Sequence, residues 1–389
     1  MAATESSTGR RGHLPLSTIA REWGRIGAVG FGGPPAHIAL LRELVVERRR
    51  WIEPRQFENG LTAVNLLPGP ASTQLAILTA WRTGGPAGAV VGGLSFVLPG
   101  LVLIVGLAAL FLGSPPDWIR GAGAGAGAAV AAVAVQAGWT LLRPAWERVT
   151  PEGRWRFVVY ALAGAAAAAA LGPWLVLVLL GCGAAEVARR RLSGGMALAP
   201  WPALAVVAAT AGTFASLAWV AFKVGALSYG GGFVIVPLMQ ADAVERYGWM
   251  TETEFLNAVA LGQVTPGPVV HTVAVVGYAA AGAPGALLAA AVAFAPSFGF
   301  VLLGARRFDR FLANADVRRF FDGAAPAAIG AILGSAAPLA LALQEGWQWA
   351  VLAGAAVSLL LLRRGVVLTL LAAGAVGGFA VLVGAPVAV

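Results

Sequence analysis

An internal duplication limits the fold of this chain more than any other feature of its sequence. Residues 27–96 align without a gap with 225–294, at a constant offset of 198. Gly27-Ala28 falls on Gly225-Ala226, Phe31-Gly32-Gly33 on Tyr229-Gly230-Gly231, and Pro68-Gly69-Pro70 on Pro266-Gly267-Pro268. Glu47, Trp51, Phe57 and Asn59 meet Glu245, Trp249, Phe255 and Asn257, and Gly84, Pro86 and Phe96 meet Gly282, Pro284 and Phe294. Several multi-residue motifs at one spacing identify two homologous halves.

The loops of the two halves differ in charge. Segment 42–58 holds Arg42, Arg48, Arg49, Arg50 and Arg55, while 240–256 holds only Arg246. Downstream the bias reverses: 306–319 holds Arg306, Arg307, Arg310, Arg318 and Arg319, while 108–121 holds only Arg120. Arginine and lysine collect on the cytoplasmic side of membrane proteins. Equivalent loops are therefore expected on opposite sides, which is an inverted-topology repeat.

Composition requires a membrane. Only 12% of the 389 residues are charged and 58% are apolar, against about 25% charged in soluble domains. Runs such as 85–112 exceed the roughly 20 apolar residues that cross a bilayer. The net charge of +9 reads as loop arginine rather than a nucleic-acid surface. Cys182 is the only cysteine, which excludes a disulfide framework, a cysteine zinc site or an iron–sulfur cluster within one chain. No cofactor and no metal is expected, and His13, His37 and His271 have no metal-ligand spacing. The fold class is thus an all-α polytopic membrane protein, two homologous halves with broken or re-entrant helices near the midplane. The expected parts are a cytoplasmic tail 1–13, a first repeat 14–194, a connecting helix 195–214 that flips the second half, and a second repeat 215–389.

If the charge reading holds, segments 14–41 and 56–84 begin and end on one side. Gly32-Gly33-Pro34-Pro35 interrupts the first and Pro68-Gly69-Pro70 the second. One such motif could equally kink a spanning helix, whereas repetition in both halves favours true breaks. A helix starting inside the membrane aims unpaired N–H groups and partial positive charge at what lies ahead of it, so it can bind an anion. The candidate donors are Gly32 and Gly33, then Asn65, Gly69, Ser72, Thr73 and Gln74. Their counterparts are Gly230, Gly231, Gly232, Gln263, Gly267, His271 and Thr272. His37 and His271 could donate to an anion or carry a proton, the plainer alternative being a satisfied interior histidine. Arg25 aligns with Lys223, the only lysine beside 26 arginines. Glu22 is in helical reach of Arg25, while Lys223 has no acidic residue nearby in sequence and reads as a functional intramembrane cation. Acidic residues lie mainly in loops or at helix ends, so no buried carboxylate relay is expected.

Phe31-Gly32-Gly33-Pro34 with Ala36-His37, Trp51 and Leu67-Pro68-Gly69-Pro70 resembles the first-half signature of the chromate ion transporter family. Gly230-Gly231-Gly232 with Val234, Pro237-Leu238, Gln263 and Pro266-Gly267-Pro268 resembles its second-half signature. The likeness spans nearly the whole chain, in the long two-domain form. It departs from the family at Asn65, where a glutamine is frequent, and at Phe233, where a polar residue is frequent. The resemblance implies efflux of chromate, giving resistance, with sulfate as a related oxyanion. The expectation is a secondary transporter, not an enzyme, in the cytoplasmic membrane, with lipid as its surroundings and a homodimer left open. A sulfate or other oxyanion carrier or exchanger is the nearest rival, and a membrane sensor or intramembrane enzyme a remoter one.

Overall fold

The computed structural model describes residues 13–386 apart from 66, 68, 171–174, 193–211, 229–234 and 305–313, and for 190–192 the backbone only. The connecting segment 195–211 and the glycines Gly230, Gly231 and Gly232 therefore lie outside the described residues, as do the tail 1–12 and Pro68. Among the described residues the secondary structure is entirely helical.

The first half runs α1 (Leu16–Val29), α2 (Pro34–Arg42), α3 (Pro54–Asn65), α4 (Ala71–Phe111), α5 (Asp117–Ala128), α6 (Val130–Glu147), α7 (Arg154–Ala170) and α8 (Leu175–Leu192). The second runs α9 (Thr213–Leu227), α10 (Ile235–Gln240), α11 (Glu252–Val264), α12 (Thr272–Gly304), α13 (Ala315–Leu341), α14 (Gly346–Ala356) and α15 (Val366–Leu382). The order repeats down to a rare detail. A π-helical turn extends α2 over Glu43–Arg48 and another extends α10 over Ala241–Arg246, again 198 apart. Such turns are uncommon and concentrate at functional places.

Four helical stretches among the described residues are long and apolar enough to cross a bilayer: Ala71–Phe111, Asp117–Glu147, Val269–Gly304 and Ala315–Leu341. At 1.5 Å per residue a straight 41-residue helix would reach about 60 Å, twice the hydrocarbon thickness. α4 avoids this by kinking at Gly85, and α12 kinks at Ala281-Gly282. Leu303, Leu341 and Val102 stay 85%, 77% and 71% exposed on the outside of the bundle, where lipid rather than water is the compatible solvent.

The two halves interlock. α1 packs along α4 as α9 packs along α12, and α4 lies against α12. α7 and α8 pack on α13 of the second half, while α5 packs on α15. Small residues make these approaches close: a methyl on Gly164 would strike the Ala327 carbonyl, and one on Gly330 that of Ala161. This is how membrane helices associate when water cannot drive them together.

The gapless alignment needs one correction. The left-handed glycine before the second span is Gly85 in one half (φ 65°) and Gly282 in the other (φ 62°), which is an offset of 197. Contacts beyond the kink agree, since Gly27 abuts the Phe96 carbonyl and Gly225 that of Ala293. One residue is missing between Gly267 and Gly282, and the second half closes that stretch with a tighter 3-10 turn, Val269–His271. Gly282 is thus the structural counterpart of Gly85, glycine being the residue that accepts the left-handed backbone of the kink.

Candidate functional site

In the first half the chain leaves α3 at Asn65, turns through Gly69 at φ 116° and enters α4 at Ala71 with Pro70 extended as its cap. No side chain caps this helix, so its leading N–H groups point into the protein interior unclaimed by a cap. Ser72, Thr73 and Gln74 in the first turn are all buried. A methyl on Gly69 would collide with the Gln74 amide and lie 3.4 Å from Ser297 Oγ, which the far part of α12 supplies.

The second half repeats the turn at Gly267, φ 95°. Here the 3-10 turn Val269–His271 comes first, and α12 proper starts at Thr272. The Thr272 hydroxyl donates to the Val269 carbonyl at 2.8 Å and is spent within its own helix. His271 takes the first-turn position, fully buried, its ring edge-on to Phe294 at 5.3 Å.

One carbonyl ties the two breaks together. Gly30, at the end of α1, accepts from the Gly267 N–H at 3.0 Å and from His37 Nε2–H at 2.9 Å. Since that nitrogen carries the hydrogen, Nδ1 of a neutral His37 accepts from the Ser72 hydroxyl, 3.3 Å away. The ring of His37 stands edge-on to Phe96 at 5.1 Å. Gly33, which precedes α2, lies against the side chain of Val269. Both breaks, the start of α2 and the surroundings of both histidines thus form one cluster drawn from both halves.

The cluster is polar, buried and incompletely bonded. Thr73 Oγ1, Gln263 Nε2 and Ser297 Oγ have no hydrogen-bond partner. Neither ring nitrogen of His271 completes a bond, although the Val97 carbonyl faces it. Buried polar groups are almost always satisfied, so these orphans are exceptions that keep hydrogen-bonding capacity in reserve. None of these groups is acidic. Among the described residues no three His, Cys, Asp or Glu side chains stand close enough to hold a metal ion.

The expected cations do not join this cluster. Lys223 is ion-paired with Asp242 of the π turn after α10, both buried, and its ammonium lies 5.9 Å from the Trp219 ring. The expectation of an unpartnered lysine is overturned: its partner is nineteen residues away, too far to be seen as a local pair. Arg25 is exposed, and Glu22 is held instead by Arg49 at 2.9 Å and Arg48 at 3.3 Å, because the π turn returns those arginines to α1. Carboxylates are also more buried than expected, since Glu22, Glu186 and Asp242 all sit inside, each ion-paired. Gly32 is exposed. Asn65 is exposed on a cavity of about 700 Å³ that reaches Gly69.

Ser297, Asp242 and the Gly30 carbonyl were not foreseen. Ser297 follows Pro296 as a lone hydroxyl in an apolar run, a signal that was available. Nothing local marks Asp242 as a lysine partner.

Comparison with known proteins agrees with this architecture. The family model described as Chromate transporter matches residues 17–187 and 215–379. The chain is 32% identical over 331 residues to the "Chromate transport protein" of Cupriavidus metallidurans, covering 81% of this chain and 80% of that one. It is 31% identical over 332 residues to the "Probable chromate transport protein" of Synechococcus elongatus, covering 82% and 83%. It is 30% identical over 327 residues to the "Chromate transport protein" of Pseudomonas aeruginosa, covering 79% and 77%. No solved structure matches.

Proposed function

The chain belongs to the chromate transporter family, and on that premise we propose that it is a secondary carrier exporting chromate across the cytoplasmic membrane, thereby conferring resistance. The observation that carries this reading is the buried, incompletely bonded polar cluster where the two helix breaks meet. A dianion leaving water needs donors in place of its hydration shell. The starts of α4 and of the Val269–His271 turn offer backbone N–H groups, to which Thr73, Gln263, His271 and Ser297 add side chains. A carboxylate there would repel the ion, and none is present among the groups named.

His37 and Ser72 give the site a proton-dependent donor. With His37 neutral, the Ser72 hydrogen is committed to Nδ1. Protonation makes Nδ1 a donor and frees that hydrogen for the anion. Lys223 is not assigned to the substrate, because Asp242 already neutralises it.

The charge pattern of the loops supports an inverted pair of repeats, 14–194 and 215–389, with 1–13, 42–58 and 306–319 on the cytoplasmic side. Moving one charge through 100 mV is worth about 2.3 kcal/mol, and a dianion gains twice that on leaving a negative interior. The membrane potential alone then drives export.

The test is chromate flux through purified protein in liposomes at clamped potential, with and without excess sulfate. Flux that follows potential supports the reading. Flux indifferent to potential and set only by a pH or sulfate gradient replaces it with an exchanger. Sulfate flux exceeding chromate flux reassigns the substrate.

A further inference from the structure

The cavity beside the first break carries charges that the site above does not use. It is lined by Gly69, the ends of α3 and α6, the start of α7, Glu186 on α8 and the first turns of α13. Arg148, Arg156 and Arg318 stand on these walls with Glu186 and Asp322. Arg148 and Arg318 are exposed, Arg156 partly so.

Glu186 is buried and shared among three donors: Arg189 at 2.6 Å, Tyr160 at 3.0 Å and Arg156 at 3.4 Å. On these walls three guanidiniums face two carboxylates. The balance is positive, the sign that attracts an oxyanion. A cleft of one sign with low-dielectric walls concentrates such an ion, and the planar guanidinium binds two of its oxygens at once. The longest contact of Glu186 is the one to Arg156, so Glu186 can release Arg156 and still keep Arg189 and Tyr160.

We propose that this cavity is an access subsite for a divalent oxyanion, in which Arg148, Arg156 and Arg318 receive the ion before it reaches the break and Glu186 is the resident counter-anion it displaces from Arg156. The inference rests on the reading of the chain as an oxyanion carrier.

The experiment is the concentration dependence of initial chromate flux in proteoliposomes at two ionic strengths. Arg156→Gln and Arg318→Gln should each raise the half-saturating concentration by about tenfold, more than they lower the maximal rate, which is the pattern of lost ground-state binding. The Lys variants should restore part of it, and Glu186→Gln should lower it. In the wild type, added salt should raise the half-saturating concentration through screening. A salt-independent wild type, or Gln variants with unchanged half-saturation, overturns the subsite while leaving the carrier intact. A wild type without oxyanion flux removes the carrier reading itself.

Discussion

The two Pro-Gly-Pro breaks share a motif and a left-handed glycine, yet they stand in different surroundings. The first opens at Asn65 and Gly69 onto a large basic cavity and passes directly into an α-helix whose opening turn is hydroxyl- and amide-bearing. The second is buried from Thr265 to Thr272, starts with a 3-10 turn and presents valines and a histidine. Duplication has thus preserved the backbone device while its two copies differ in exposure. If the repeats are inverted, exchanging these two environments moves the cluster from one side of the membrane to the other without moving the ion far. The ion-pair clamps of the two halves differ as well. Each joins the first helix of its half to a π turn, but Glu22 uses half-exposed arginines, whereas Lys223 and Asp242 are only 10% and 1% exposed.

The clamps give the largest expected contrast. Asp242→Asn leaves Lys223 buried without a counter-charge and should cost about 3–5 kcal/mol, whereas Glu22→Gln should cost about 1 kcal/mol or less. Thermal unfolding in detergent checks both, and the double variant Lys223→Met/Asp242→Leu should recover most of the loss. Equal costs would mean the halves are clamped alike. The glycines come next. A left-handed alanine costs about 1–2 kcal/mol, and Gly267→Ala should exceed this by about 1 kcal/mol because its methyl meets the enclosed His271 ring in a core that gives little. Gly69→Ala meets only the end of a glutamine side chain and should stay within it, so the same unfolding assay ranks them.

Access is compared by labelling. With Cys182 replaced by Ser, Asn65→Cys should react with a charged thiol reagent on the order of ten times faster than Gln263→Cys, and chromate should narrow the gap. Similar rates without substrate would abolish the contrast between open and closed breaks. The smallest effect belongs to Ser72→Ala, which removes one buried hydrogen bond worth about 1 kcal/mol. It should also flatten the pH dependence of flux, and an unchanged profile would dismiss the His37–Ser72 pair as a switch.

Much of this was legible from the residues. Helix breaks announce themselves through Pro and Gly, whose effect is local, and the spans follow from apolar length. The repeat was visible, but its register after the break was not: identity favoured Pro86 with Pro284, while backbone conformation follows Gly85 and Gly282. Lys223 was misjudged because ion pairs across elements leave no mark in the spacing. The arginine cavity was equally hidden, since its walls are gathered from positions as distant as Asn65 and Arg318 and only the fold brings them together.

The interlocking of the halves also sets a timetable for biogenesis. Gly164 on α7 finds its partner only when Ala327 on α13 has been made. At about 5–20 residues per second of synthesis, the small-residue face of α7 waits on the order of ten seconds or more for that partner. Until then α7 and α8 lack their packing mate, so assembly of this protein is a late event, completed near the end of translation.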